Sequence, residues 1–102
     1  MPRLIKVATL GELSPGEGKL VSVDGEQIAL FNVDGNYYAL GAVCPHEGGP
    51  LHEGVVEGDS IICPWHAFDF TVTTGQSSTD PDLRVPTYVV VIQGADVCIE
   101  MA

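Results

Sequence analysis

An all-β fold is what this 102-residue sequence predicts, on three observations. Two Asp-Gly dipeptides, Asp24-Gly25 and Asp34-Gly35, stand between apolar runs, which is the strongest local signal for a two-residue hairpin turn. The runs are short and rich in β-branched and aromatic residues, as strands are. No internal repeat, heptad or long helical pattern competes with them.

Taken in order, residues 3–8 (R-L-I-K-V-A) read as a first strand, and T-L-G-E-L-S-P-G-E-G as a loop with room for one helical turn. K-L-V-S-V, E-Q-I-A-L-F-N-V and N-Y-Y-A-L then make a three-stranded meander across the two Asp-Gly turns. Val21, Val23, Ile28, Leu30, Tyr37 and Ala39 alternate onto one face, which is expected to be core. S-I-I-C is a strand that delivers Cys63, and F-D-F-T-V-T leaves toward a Thr74-Gly75 turn. Residues 76–84, Q-S-S-T-D-P-D-L-R, are polar and not expected to pack. V-P-T-Y-V-V-V-I-Q, a Gly94-Ala95 turn and D-V-C-I-E-M form a closing hairpin, which must return to the base sheet to bury its apolar residues.

Chemistry concentrates between Val43 and Phe70, where A-V-C-P-H-E-G-G-P-L and I-I-C-P-W-H-A-F-D-F carry two Cys-His pairs, Cys44 with His46 and Cys63 with His66. Thiolate and neutral imidazole are both metal ligands. A Cys2His2 zinc finger sets Cys near Cys and His near His, whereas each loop here offers one sulfur and one nitrogen. Such mixed pairs suit a two-iron cluster with chemically different ends. Pro45 and Pro64 after the cysteines fix backbone angles and remove amides, and Gly48 and Gly49 let the chain approach a cluster closely.

This pattern, C-x-H, a spacer over residues 47–62, then C-x-x-H, resembles that of the Rieske family, whose [2Fe–2S] centre has Cys on one iron and His on the other. The resemblance implies that Cys44 and Cys63 ligate one iron and His46 and His66 the second. It also implies an antiparallel β base domain, residues 1–42 and 83–102, with a small cluster-binding β subdomain, 43–82, inserted into it. A third, proline-containing loop covers the cluster in such proteins, and Pro81 is the candidate for it.

Departures from the family's high-potential members are informative. Those members carry a further Cys in each loop and join the two as a disulfide, where this chain has Gly49 and Trp65, so that bond cannot form. They also place Ser and Tyr hydroxyls near the cluster sulfurs, where this chain has Phe68 and Phe70. Fewer hydrogen bonds to sulfur stabilise the added electron less, so the potential is expected toward the low end of roughly −150 to +300 mV. Two neutral imidazoles leave the oxidised cluster uncharged, which eases reduction relative to an all-Cys cluster, and the electron is expected on the His-bound iron.

Composition bounds the function. A chain of this length is one domain with a modest core. An oxygenase would need a mononuclear iron site with two more His and a carboxylate, and only His52 remains. The chain is therefore expected to carry electrons and not to be an enzyme by itself. Lys and Arg total 4 against 14 Asp and Glu, a net charge of −10, which argues against nucleic acid and anionic membrane. No base lies between residues 20 and 83, whereas Glu47, Glu53, Glu57, Asp59, Asp69, Asp80 and Asp82 lie in or beside the ligand region. Most of these keep the surface solvated; a subset is positioned to steer a basic partner.

No signal peptide or apolar span is evident, and with two Cys assigned to the cluster a reducing cytoplasm fits. The third, Cys98, reads as a small core or sheet residue. His52 reads as a surface loop residue, Phe68 as packing, Trp65 equally as packing or partner contact, and Leu51 as a cover on the cluster's buried side. The resemblance implies a soluble low-potential ferredoxin that passes electrons from a flavin-dependent reductase to a terminal oxygenase. It equally permits a small subunit of an NAD(P)H-dependent nitrite reductase, and the sequence does not separate the two. From a different class, a structural zinc module would share the ligand types but not the mixed pairing.

Overall fold

The fold is built outward from one strand. In the computed structural model, which describes residues 3–43, 49–65, 68–78, 80 and 82–101, the meander consists of β2 (Gly18–Val23), β3 (Glu26–Val33) and β4 (Asn36–Gly41). Both Asp-Gly turns form as their chemistry requires: Asp24 and Gly25 take φ of 52° and 81°, and Asp34 and Gly35 take 53° and 90°. Positive φ at both central residues matches the twist of the flanking strands. The resulting pairs Val23 with Glu26 and Val33 with Asn36 set the register.

A second sheet runs in the order β1 (Arg3–Thr9), β10 (Asp96–Met101), β9 (Val90–Gln93), all antiparallel. One face of the meander packs against it. Val23, Ile28, Leu30 and Ala39 are buried with Ala8, Val97 and Ile99, and Val21 and Tyr37 pack at the margin. The alternation read from the sequence thus finds its core. Cys98 lies in β10 and is buried, as a sheet residue should be.

The other face of β3 is buried too, which the alternation did not anticipate. Ala29, Phe31 and Val33, with Leu40 and Ala42, meet Leu51, Ile61, Cys63, Phe70, Val72 and Val85. Ile61 and Phe70 come from a third sheet, β5 (Val55–Glu57), β6 (Ser60–Ile62) and β7 (Asp69–Thr71). Truncating the fully buried Phe31, which faces this second core, is expected to cost about 3–5 kcal/mol. Gly18 has no Cβ because one would lie 2.4 Å from the Phe31 ring. The β5 strand was not anticipated, since V-V-E between glycines is too short to show a period.

Three expectations need correction. The 9–18 loop forms no helical turn; Glu12 and Glu17 donate their amides to Thr9 and Ser14 carbonyls, and the two glutamates accept from the Thr9 and Ser14 amides in return. Buried Asn32 holds that loop, its Nδ2 donating to the Leu13 carbonyl at 2.8 Å while its Oδ1 accepts from the Gly35 amide. The closing apolar run is not one strand: β8 (Thr87–Tyr88) pairs with β4, and the chain changes sheets at Val89 before β9. Segment 76–84 does pack, at least in its described residues. Ser77 is 1% exposed, its amide donates to the Leu83 carbonyl at 3.0 Å, and its Oγ accepts from the Asp80 amide at 3.2 Å. Internal hydrogen bonds are what let so polar a stretch lie against the protein. Gly75, with φ of 75°, is required at its entry, because a Cβ there would stand 2.1 Å from the Val85 carbonyl oxygen.

Candidate metal centre

The chain has two tips, residues 44–49 and 63–68, whose described ends adjoin one end of the third sheet. The first is bounded by a bridge between Val43 and Pro50, closed further by the Leu51 amide donating to the Ala42 carbonyl at 2.9 Å. The second is bounded by the β6–β7 pair Ile62 with Asp69, closed by the Cys63 amide donating to the Phe68 carbonyl at 2.7 Å. Each tip follows directly from a strand or bridge, so its ends are held by backbone hydrogen bonds and not by side-chain contacts alone.

Cys63 is the proposed ligand that the structure describes, and its setting fits a thiolate bound to a group that must be kept from water. It is 1% exposed and sits in the apolar cluster of Leu51, Ile61, Phe70, Val72 and Val85. Gly49, from the first tip, lies against it. A Cβ on Gly49 would be 3.0 Å from Cys63 Sγ and 3.1 Å from both Cβ and Cδ2 of Trp65. The two tips therefore meet in direct contact. Cys44, His46 and His66, together with Pro45, Glu47, Gly48 and Pro81, lie outside the described residues. Among the described residues no group of three or more His, Cys, Asp or Glu gathers around one point.

Leu51 is fully buried in the core that holds Cys63, and Phe68 packs against the same core, as expected of Phe68. Phe70 is also fully buried. Trp65 is 48% exposed, one edge on Gly49 and the rest open to solvent. His52 differs from expectation. It lies in a single 3-10 turn, Leu51–Glu53, with its side chain 25% exposed and its Nδ1 buried without a hydrogen-bond partner among the described residues. Its Nε2 stands 3.8 Å from a Glu53 carboxylate oxygen, the long end of an ion pair.

Arg3, Lys6 and Lys19 each pair with an acid, respectively Asp24, Asp96 and Glu12, away from the tips. Hydrogen bonding to Lys19 and then to the Thr9 amide holds the Glu12 carboxyl below its usual range. Glu53, Glu57, Asp59 and Asp82 are exposed. Asp69 is half-buried and accepts from Ser78 Oγ at 2.5 Å, which ties segment 76–84 to β7. That tether left no trace in the sequence pattern, because an Asp and a Ser nine residues apart become neighbours only when the chain doubles back. No helix among the described residues is long and apolar enough to cross a membrane.

A family model described as "Rieske [2Fe-2S] domain" matches residues 3–89. The biphenyl dioxygenase ferredoxin subunit of Pseudomonas sp. strain KKS102 is 34% identical over 99 residues, covering 95% of this chain and 91% of that protein. Among solved structures, a protein named as an NADH-dependent nitrite reductase small subunit from Mycobacterium tuberculosis superposes with a TM-score of 0.94 at 25% identity, over 100% of this chain and 97% of its own. The carbazole 1,9a-dioxygenase ferredoxin, in a complex of reduced oxygenase and oxidised ferredoxin, superposes with a TM-score of 0.86 at 29% identity, over 93% and 99% of the two chains.

Proposed function

The chain belongs to the Rieske [2Fe–2S] domain family, and from that premise we propose that it is a soluble one-electron carrier, drawing electrons from a flavin-dependent reductase and delivering them to a terminal oxygenase. In this reading Cys44 and Cys63 hold one iron, and His46 and His66 hold the other. The observation that supports it is the contact of Gly49, three residues after His46 in the sequence, with Cys63. When bound, the cluster supplies a site that gains and loses one electron reversibly. The family's cofactor and the ferredoxin relatives support carriage, not catalysis, as the role of the chain.

Residues of this chain then tune and guard that site. Leu51, Ile61 and Phe70 surround Cys63 with apolar atoms, excluding water from the thiolate side. Phe68 and Phe70 bring no hydroxyl to that wall, so a low potential is the expectation. The exposed acids Glu53, Glu57, Asp59 and Asp82 favour approach by a basic surface and an association rate that falls as salt rises. The third sheet and the tips, within residues 43–82, serve in this reading as an insertion between the two parts of a base, 1–42 and 83–102. The reducing cytoplasm is the proposed compartment, where Cys44 and Cys63 stay available as ligands.

A second reading, the small subunit of an NAD(P)H-dependent nitrite reductase, is favoured by the superposition over the full chain with the named nitrite reductase subunit. Partner behaviour separates the two: a stable stoichiometric complex in the native host supports the subunit, and transient docking to an oxygenase supports the ferredoxin. The common premise is tested by anaerobic purification, assay of iron and sulfide, and EPR of the dithionite-reduced protein. Iron and sulfide in equal amounts with a low average g value are expected; zinc without sulfide would overturn it.

A further inference from the structure

A groove of about 450 Å³ borders Val43 and is lined by no Cys or His. Gly25, Gln27, Gly41, Ala42, Val43 and Pro86 line it together with Glu26 and Tyr88. Gly41 gives the groove only its backbone, since a Cβ there would lie 2.9 Å from Pro86 Cγ and Cδ. Val43 is 52% exposed although it is apolar and immediately precedes Cys44.

Glu26 and Tyr88 come from strands that are not neighbours, with β4 between them. Tyr88 Oη donates to Glu26 Oε2 at 2.5 Å across that strand. Burial, and then the hydrogen bond to Glu26, pushes the Tyr88 phenol up to about 12, so it stays a neutral donor at physiological pH. The pair thus carries a single negative charge, fixed on a carboxylate whose second oxygen, Oε1, has no partner among the described residues. Arg3 pairs with Asp24 in the adjoining turn.

The geometry points to this groove as the seat of an arginine side chain presented by the redox partner, its guanidinium on Glu26 and its aliphatic stem along Val43 and Pro86. A planar cation with forked donors suits a pre-oriented carboxylate beside an aromatic ring better than a compact ammonium does. No Lys or Arg occurs from residue 20 to 83, so the charge complement must come from outside this part of the chain. The seat adjoins the base of the first tip, where Val43 pairs with Pro50, so a partner anchored there would stand beside the site of electron exit.

The partner's identity rests on the electron-carrier reading, but the groove is tested without electron transfer. The oxidised holoprotein, labelled with 15N, is titrated with Nα-acetylarginine amide, with Nα-acetyllysine amide, whose side-chain ammonium is free, and with Nα-acetylcitrulline amide as the neutral isostere. Saturable shifts at the Gly25, Glu26, Gln27 and Thr87 amides with the arginine probe, weaker with lysine and absent with citrulline, are expected. Glu26→Gln, which keeps an acceptor for Tyr88, should weaken the arginine response about 5-fold, the weight of one screened ion pair, while Glu57→Gln leaves it unchanged. Shifts that are absent, that do not saturate, or that respond equally to both substitutions would overturn the assignment. Loss of the EPR signature in the unsubstituted protein would instead sink the carrier reading and leave the groove result standing.

Discussion

Gly49 lies directly beneath Trp65, so close that a Cβ on the glycine would stand 3.1 Å from the tryptophan Cβ. A disulfide needs its two Cβ atoms about 3.5–4.5 Å apart. The two positions therefore already face one another at nearly bridging distance, although the residues there can form no bond. The double substitution Gly49→Cys with Trp65→Cys should close a disulfide after the tips part by a few tenths of an ångström. The oxidised protein should lose two hydrogens by intact mass and gain stability, up to about 3 kcal/mol for a closed loop of this size, less any strain. A thermal melt with and without reductant measures the gain.

Replacing His46 or His66 by Cys should abolish the mixed-ligand EPR signature, and any cluster that still assembles should have a lower potential because a thiolate adds negative charge. Either variant can be read by EPR and by spectroelectrochemical titration. An unchanged spectrum in both would remove these residues from the ligand set.

Phe70→Tyr tests the expectation of a low potential. Phe70 is fully buried in the core that holds Cys63, and a buried hydroxyl without a partner costs about 1–3 kcal/mol. If the new hydroxyl reaches a cluster sulfur, the potential rises and the unfolding midpoint holds. A lower midpoint with an unmoved potential means the hydroxyl found no acceptor, and missing hydroxyl donors are then not the explanation.

Tyr88 sets an alkaline limit on stability. Its phenol ionises at about 12 when folded against an ordinary 10.0. The folded state holds its proton more tightly than the unfolded state, so this contribution is full below pH 10 and is lost as pH rises from 10 toward 12. Denaturant unfolding across that window should show a fall that Tyr88→Phe largely removes, and tyrosinate absorbance should lose its most alkaline step.

The ligand motif and both Asp-Gly turns were legible because their chemistry is local: a residue type at a fixed spacing, or a dihedral few residues tolerate. What escaped depends on distant parts of the chain. I-A-L-F-N-V in β3 is apolar almost throughout, and only the packing of a separate sheet on each side explains why Ala29, Phe31 and Val33 are buried along with Ile28 and Leu30. V-P-T-Y-V-V-V-I-Q reads as one strand because a change of sheets at Val89 needs no turn residue. Ser77 and His52 resisted for the same reason, since burial of a polar side chain leaves no periodic mark. The Glu26–Tyr88 bond, between residues 62 apart in sequence, left none either.

The pairing of β1 with β10 carries a consequence for how the protein is made. Arg3 lies opposite Met101, so β1 has no partner until β10 has been synthesised. β4 likewise waits for β8. Such long-range closure is slow and leaves unpaired strand edges exposed in the meantime. The spans bearing both Cys-His pairs are synthesised well before either base sheet can close. Metal loading and completion of the fold are therefore events to be timed against each other in the cell, and a chain interrupted before β10 would carry the full ligand motif on an unfinished scaffold.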